Sequence, residues 1–300
     1  MKKNYNIKIK YLFLALFSVF LWGISLLSTK NLLKNNFTPN NITFFRFFIA
    51  GSISYFFLPK KIKKTKIKKI DRKYFLIMSL GGVSLFYYFE NTGLKYTTVS
   101  NTSLLTATIP LFTLLIAFIF FRKKLLWQNF VGIPLGLLGT FILFYKDIIS
   151  SGIHLKGDFF VLGSVIMWII YSFVGKKIMH KYDVSFITYK IFFYGVILLI
   201  PILLFEFKDF YKIHLNVWSV VHLLFLSVFC SYFGYFFWNL AIKNIGIKII
   251  SNLILFIPIV SIGAAIIFLH EPFTVNLVVA TILIMLGAYL TSISGKENNF

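Results

Sequence analysis

The stretch Leu104–Lys124, "LLTATIPLFTLLIAFIFFRKK", sets a proline inside an apolar run, and 148 positions later Asn252–Pro272, "NLILFIPIVSIGAAIIFLHEP", places Pro258 where Pro110 stood. A proline inside a helix removes one backbone hydrogen bond and kinks the chain. In hydrocarbon the carbonyl freed in this way is tolerated only where it faces protein or a water-filled cavity. Two prolines at equivalent places therefore predict two helices bent around a central cavity. A kink with no role beyond packing is the competing reading, because proline is common in membrane helices.

The equivalence extends well beyond the prolines. At an offset of 148, residues 91–141 match 239–289 at thirteen of fifty-one positions without a gap, among them Asn91/Asn239, Lys95/Lys243, Ser103/Ser251, Phe120/Phe268 and Gly139/Gly287. Upstream, Trp22 and Lys30 align with Trp168 and Lys176 at an offset of 146, and "ITF" at 42–44 meets "ITY" at 187–189 at an offset of 145. Apolar composition inflates matches among Leu, Ile and Phe, but not among Pro, Lys, Trp and Asn. The chain reads as an internal duplication, with residues 1–145 as the first copy and 146–300 as the second.

Composition says where such a chain lives. Hydrophobic residues make up 58% and charged residues 13%, far from the balance of a soluble domain. The apolar residues fall into runs close to the ~20 needed to cross a bilayer. Ten spans are expected, at about 11–29, 39–58, 74–94, 100–121, 126–144, 158–175, 184–205, 217–240, 247–269 and 274–292. The net charge of +22 would suggest nucleic acid in a soluble protein. Here the cations sit in short loops, which points to the positive-inside rule and away from nucleic acid. "MKKNYNIKIK" followed by an apolar stretch imitates a signal peptide but lacks a small-x-small cleavage site, so it reads as an uncleaved first span.

Orientation follows from counting Lys and Arg by side. The N-terminal side collects 22 and the opposite side 7, nine of the 22 coming from residues 59–73, "PKKIKKTKIKKIDRK". Both termini are therefore expected in the cytoplasm, with the protein multi-pass in the cell inner (plasma) membrane. The basic loop serves as a topology determinant, contact with anionic headgroups being the weaker reading.

Five is an odd number, so the second copy enters the membrane from the opposite side. The fold class expected is all-α integral membrane, with ten transmembrane helices as two inverted five-helix repeats. Inverted repeats around a midplane site are a signature of secondary transporters, because each half can take the other's shape during alternating access.

The segments "LFSVFLWGISLLSTKNLL" (16–33), "NTGLKYTTVSNTSLLTATIPLFTLLIAFIFFRKKLLWQNFVGIPLGLLGTFIL" (91–143) and "NLAIKNIGIKIISNLILFIPIVSIGAAIIFLHEPFTVNLVVATILIMLGAYL" (239–290) resemble the drug/metabolite transporter superfamily, and within it the ten-helix EamA branch. The resemblance covers nearly the whole chain. It implies a transporter of small polar metabolites, most often an exporter of amino acids or their relatives. An uptake carrier or exchanger for a nucleotide, sugar phosphate or cofactor-type metabolite is the alternative on the same scaffold. One position departs from the pattern: the acid usual after the Pro-containing helix is Glu271 in the second copy but Lys123 in the first.

Charges inside spans are costly and usually functional. Arg46 and Glu90 are expected at similar depth in the second and third spans, as an ion pair or a proton-coupling pair. Lys190 lies close enough to the interface to snorkel. Trp22 and Trp168 lie inside their spans, away from the interfacial belt, and are expected to line the cavity with Tyr87, Glu90, Tyr171, Tyr235 and Asn239. Tyr88 and Trp238 lie at similar depth. The polar run 100–108, "SNTSLLTAT", offers Asn101, Thr102 and Thr106 as substrate-binding candidates, with Asn252 at the related place in the ninth span. Ser100 is better read as a helix cap.

"GIPLGLLG" (132–139) contains a GxxxG expected to pack helices within the chain, a homodimer contact being the second reading. Cys230, the one cysteine, excludes an intramolecular disulfide. The five histidines show no metal-ligand spacing, and neither a nucleophile motif nor a glycine-rich phosphate loop is present. An enzyme, a metal site, a cofactor and ATP-driven transport are accordingly not expected. The partners expected are a small-molecule substrate and the lipid bilayer.

Overall fold

The computed structural model describes residues 2–122, 125–150, 153–246 and 250–293. Lys123, Lys248, Lys296 and the side chain of Ser251 lie outside what is described, as does most of the "RKK" loop. Among the described residues the chain is helical, without strands. Among the same residues seven helices are long and apolar enough to cross a membrane by length and composition, and further apolar helices accompany them.

In chain order the helices are α1 Lys2–Lys34, α2 Pro39–Phe56, α3 Arg72–Tyr96, α4 Val99–Phe121, α5 Trp127–Ser150, α6 Ile153–Met179, α7 Val184–Phe205, α8 Val217–Ile245, α9 Ser251–Leu269 and α10 Val275–Ile293. Four of them are interrupted. Helix α3 carries a π-helical segment at Leu80–Ser84, and α8 carries one at Phe225–Phe233. Helix α4 stops at Thr106 and restarts at Ile109, while in α9 a 3-10 segment, Ser251–Phe256, leads into α-helix from Ile257. In both restarts the proline, Pro110 or Pro258, occupies the first helical turn. There its missing N–H has no intrahelical partner to lose. The prolines thus open new helical segments where sequence reasoning expected kinks in continuous ones.

Helix packing repeats the duplication. Helix α1 packs on α8 and α9, and its counterpart α6 packs on α3 and α4. Helices α2 and α7 pack on each other, as do α5 and α10, pairing each helix with its own equivalent, and α2 also packs on α8 as α7 packs on α3. The helix ends repeat as well. Arg122 and His270, 148 apart, both adopt the left-handed conformation, and their N–H groups reach the carbonyls of Ala117 and Ala265.

The GxxxG of α5 is used within the chain. A Cβ on Gly132 would stand 2.8 Å from the Gly287 carbonyl of α10, and one on Gly287 would stand 2.6 Å from the Gly132 carbonyl. Backbones this close need small residues at the crossing. Phe130, Leu138 and Phe141 on α5 point outward and are exposed, as residues facing lipid would be.

At the basic end, where residues 60–73 gather, the loop between α2 and α3 is tied down by one acid. Asp71 accepts hydrogen bonds from Lys181 (2.8 Å) and from the Tyr182 hydroxyl (2.9 Å), and the Tyr182 hydroxyl accepts one from the Lys68 N–H. The Lys181 hydrogen bond holds the Asp71 carboxyl below the usual carboxylate range, and Asp71 in turn raises Lys181.

Candidate functional site

The site begins with the backbone irregularities of α3 and α8. A π-helical turn leaves a carbonyl outside the regular ladder, and in apolar surroundings that carbonyl needs a donor. The indole N–H of Trp22 donates to the Cys230 carbonyl at 2.9 Å. The Tyr235 hydroxyl donates to the Gly82 carbonyl. Gly82 and Cys230 are 148 apart, so the two copies expose the same carbonyl and each is met by an aromatic donor.

These donors belong to an aromatic cluster that follows the repeat. Trp22 meets Trp168 edge-on, with ring centres 5.5 Å apart. Phe47 packs on Tyr87 at 5.0 Å, and the equivalent Phe192 packs on Tyr235 at 5.4 Å. The polar pairs repeat too. The Asn91 amide donates to the Thr43 hydroxyl (3.1 Å), and the Asn239 amide donates to the Thr188 hydroxyl (3.2 Å).

Next to this cluster lies a cavity of about 40 Å³, room for at most a few waters. Trp22, Phe86, Tyr87 and Trp168 form its aromatic wall. Ser25, Thr106 and Glu90 supply polar groups, and Leu26, Ile109, Ile254 and Ile257 close it. Thr106 and Ile254 are equivalent positions, as are Ile109 and Ile257, and they flank the breaks ahead of Pro110 and Pro258. Both proline-containing segments therefore meet the cavity where their helices restart.

Glu90 is 8% exposed, and among the described residues its carboxylate has no hydrogen-bond or ion-pair partner. The indole N–H of Trp168 likewise has no acceptor among the described residues. Arg46, 1% exposed, does not pair with Glu90. Its Nε donates to Ser231 Oγ at 2.6 Å, and its guanidinium lies 4.4 Å from the centre of the Tyr87 ring. Tyr87 precedes Glu90 by one helical turn, so in this conformation the ring takes the cation by cation–π contact. The Nη2 of Arg46 is buried without a protein partner.

Trp22, Tyr87, Glu90, Thr106 and Trp168 are the sequence candidates that line the cavity. Tyr171, Tyr235 and Asn239 lie behind it. Tyr171 stacks on Trp168 and donates to Asn239 Oδ1 at 2.8 Å, so both polar groups are already engaged. Thr102 donates to the Thr98 carbonyl of its own helix, and the Asn101 amide reaches Asp158 at 3.4 Å. Asn252 is half-buried and also away from the cavity. Helix α8, expected as a wall, stands one layer back because Trp238 occupies the place equivalent to Glu90 and packs on Trp22 at 5.0 Å. At Gly234, equivalent to Phe86, a Cβ would meet the Trp22 indole nitrogen at 2.9 Å. Sequence reasoning missed Ser25, Leu26, Phe86, Ile109, Ile254 and Ile257. Ser25, one turn beyond Trp22, and Ile257, beside Pro258, had positional signals.

At the end opposite the basic loop, side chains tie neighbouring helix termini together. Lys30 donates to the Leu94 and Thr97 carbonyls at 2.6 and 2.7 Å, capping the end of α3. Glu271 accepts from the Val99 N–H (2.8 Å), the Ser100 N–H (3.0 Å) and the Ser100 hydroxyl (2.6 Å) at the start of α4. A carboxylate suits the positive end of a helix and a lysine suits the carbonyl end.

Known proteins resemble this chain in sequence and fold. The model of the EamA-like transporter family matches twice, at residues 9–145 and 155–293. An uncharacterized transporter of Archaeoglobus fulgidus is 28% identical over 94% of this chain and 96% of its own length. One of Clostridium kluyveri is 27% identical over 96% and 94% respectively. The uncharacterized transporter YyaM of Bacillus subtilis is 27% identical over 97% and 94%. A crystal structure at 15% identity shares the fold, with a TM-score of 0.64 over 97% of this chain and 100% of that one. Two family matches on two oppositely threaded five-helix copies leave one assignment: the chain belongs to the EamA-like transporter family.

Proposed function

We propose that this transporter exports a small polar metabolite carrying an ammonium group, an amino acid or a close relative, by alternating access. The observation that carries the reading is the unpaired Glu90 carboxylate in a cavity walled by Trp22, Phe86, Tyr87 and Trp168. Aromatic faces attract cations, and a carboxylate makes its strongest hydrogen bonds to charged donors. Ser25, Thr106 and the Trp168 N–H supply neutral groups for the rest of a polar substrate. Glu90 is the one charged side chain among the lining residues. That disfavours a nucleotide or sugar phosphate, which would call for cations.

A cavity of about 40 Å³ does not hold an amino acid, so binding requires the site to widen. Opening toward the basic end, assigned to the cytoplasm by its charge, would load substrate. Opening at the Lys30–Glu271 end would release it. Glu90 then exchanges the substrate ammonium for a proton or for another substrate, and Arg46 stands one layer behind as counter-charge. This reading makes the protein a multi-pass carrier of the cell inner membrane with both termini inside.

Counterflow in proteoliposomes tests it. Vesicles loaded in turn with amino acids, amines and phosphorylated metabolites are expected to show trans-stimulated uptake with an ammonium-bearing compound, abolished by Glu90→Gln. Stimulation by a phosphorylated metabolite and by no amino acid or amine would reject the reading.

A further inference from the structure

A second pocket lies at the basic end, away from the central cavity, with a volume of about 460 Å³. Three cations converge on it from three elements: Lys66 from the loop before α3, Arg72 from the first turn of α3, and Lys190 from α7. Thr65 and Tyr194 add hydroxyls. Ile67 and Leu76 add apolar surface, and Leu76 is exposed on the outer face of the bundle.

This cluster is held in place. Asp71, the acid next to Arg72, is turned inward and taken by Lys181 and Tyr182, and the Lys68 N–H is bound to the same Tyr182 hydroxyl. The loop is thereby pinned on one side while its cations are presented on the other. The other nearby acid, Asp183, accepts from the Ser185 N–H as the cap of α7. Among the described residues no carboxylate pairs with Lys66, Arg72 or Lys190. Lys190 lies six residues into α7, ~9 Å from its start at 1.5 Å per residue. Its ammonium lies 5.1–5.9 Å from the ring centres of Tyr189, Phe193 and Tyr194. The charge is thus at interfacial depth, with apolar surface beneath it.

We propose that Lys66, Arg72 and Lys190 form a binding site for the phosphate headgroup of an anionic phospholipid in the leaflet at the basic end. The three cations and two hydroxyls match a phosphodiester with its flanking glycerol oxygens. Ile67 and Leu76 lie where the acyl chains would leave. A free phosphate would use the cations equally well but not the apolar flank.

Native mass spectrometry of the delipidated full chain tests this, with phosphatidylglycerol and phosphatidylcholine offered in equal amounts and inorganic phosphate in a separate arm. Wild type is expected to retain phosphatidylglycerol preferentially. In the variant K66Q/R72Q/K190Q that preference should fall by about tenfold or more, each surface cation being worth roughly a fivefold change. The control K60Q/K61Q/K64Q removes the same charge from the same loop and should keep the preference. Equal retention of both lipids, equal loss in the control, or displacement of the lipid by millimolar inorganic phosphate would overturn the proposal. Should the triple variant fail to fold, a photoreactive phosphatidylglycerol in wild-type proteoliposomes decides. Adducts on residues 65–76 and 190–194 support the site, and adducts spread along other lipid-facing helices reject it.

Discussion

The indole N–H of Trp22 donates to the carbonyl of Cys230 at 2.9 Å, tying the first helix of one copy to the π-helical turn of the other. At the equivalent carbonyl of the other copy, Gly82, the donor is the Tyr235 hydroxyl, a residue equivalent to Tyr87 and not to Trp22. Trp22→Phe and Tyr235→Phe each leave a buried carbonyl without its donor, at an expected cost of about 1–3 kcal/mol. Asn91→Ala removes the bonds to Thr43 and the Pro39 carbonyl, and Asn239→Ala those with Thr188 and Tyr171; at roughly 0.6 kcal/mol per interhelical bond each should cost about 1 kcal/mol. Reversible unfolding in mixed micelles measures all four. Loss from one member of a pair and none from the other would show that the copies are not mechanically equivalent.

The crossing of α5 and α10 is expected to be the least tolerant of added volume. Gly287→Ala places a methyl group against the Gly132 carbonyl at 2.6 Å, and backbone cannot rotate aside as a side chain can. Overpacking of this kind costs about 1–3 kcal/mol. Gly263→Ala in α9 meets nothing within 4 Å and should be neutral or stabilising, by up to about 1 kcal/mol. Thermal stability of the two variants in one detergent separates the outcomes, and equal effects would contradict the packing described.

The Asp71–Lys181–Tyr182 tie carries a defined pH signature. The Asp71 pKa is lowered in the folded protein, so its contribution is present above the unfolded carboxylate value and is lost as pH falls through the folded one. The Lys181 pKa is raised, so its contribution holds below the unfolded lysine value and is lost as pH rises through the folded one. Between about pH 5 and 9 the tie is therefore expected to be pH-independent. Asp71→Asn should loosen loop 60–71, read as faster amide exchange, with the difference from wild type shrinking as acidification below the usual carboxylate range protonates Asp71. A difference that grew on acidification would contradict the assignment.

Under the proposed alternating access, Glu271, which caps the start of α4, is expected to hold the end beyond Glu90 shut. Glu271→Gln removes the charge from the helix N-terminus, a change worth about 0.5–2 kcal/mol, and should populate the form open at that end. Labelling of a Ser25→Cys reporter by an impermeant maleimide applied to that side is expected to accelerate severalfold. An unchanged rate would remove Glu271 from the closing machinery.

Much of this was legible in the residues, and the rest was hidden for physical reasons. Hydropathy located the spans but ended them early, because the helices continue past the apolar stretch: α1 runs to Lys34 and α6 begins at Ile153. The duplication was readable from Pro110/Pro258 and Asn91/Asn239, since polar and imino residues stand out against an apolar background. The π-helical turn of α8 was not readable, since Phe225–Phe233 carries neither proline nor glycine and differs from an ordinary apolar helix only in its hydrogen bonding, whereas the turn of α3 holds the pair Gly81-Gly82. Among the site candidates, Trp22 and Glu90 were distinguished by being costly to bury. Asn239 and Tyr171 were equally costly, but they satisfy each other, a pairing that depends on a tertiary contact across 68 residues. Arg46 was expected on Glu90, yet the Tyr87 ring one turn away offers a nearer partner.

Two copies threaded in opposite senses put equivalent residues on opposite faces of the membrane. Lys95 and Lys243 are equivalent residues near the ends of α3 and α8. With Cys230→Ser as background, Lys95→Cys should react with an impermeant maleimide added to intact cells. Lys243→Cys should react only after the membrane is permeabilised. Labelling of both residues from the same side of sealed cells would contradict the inverted arrangement.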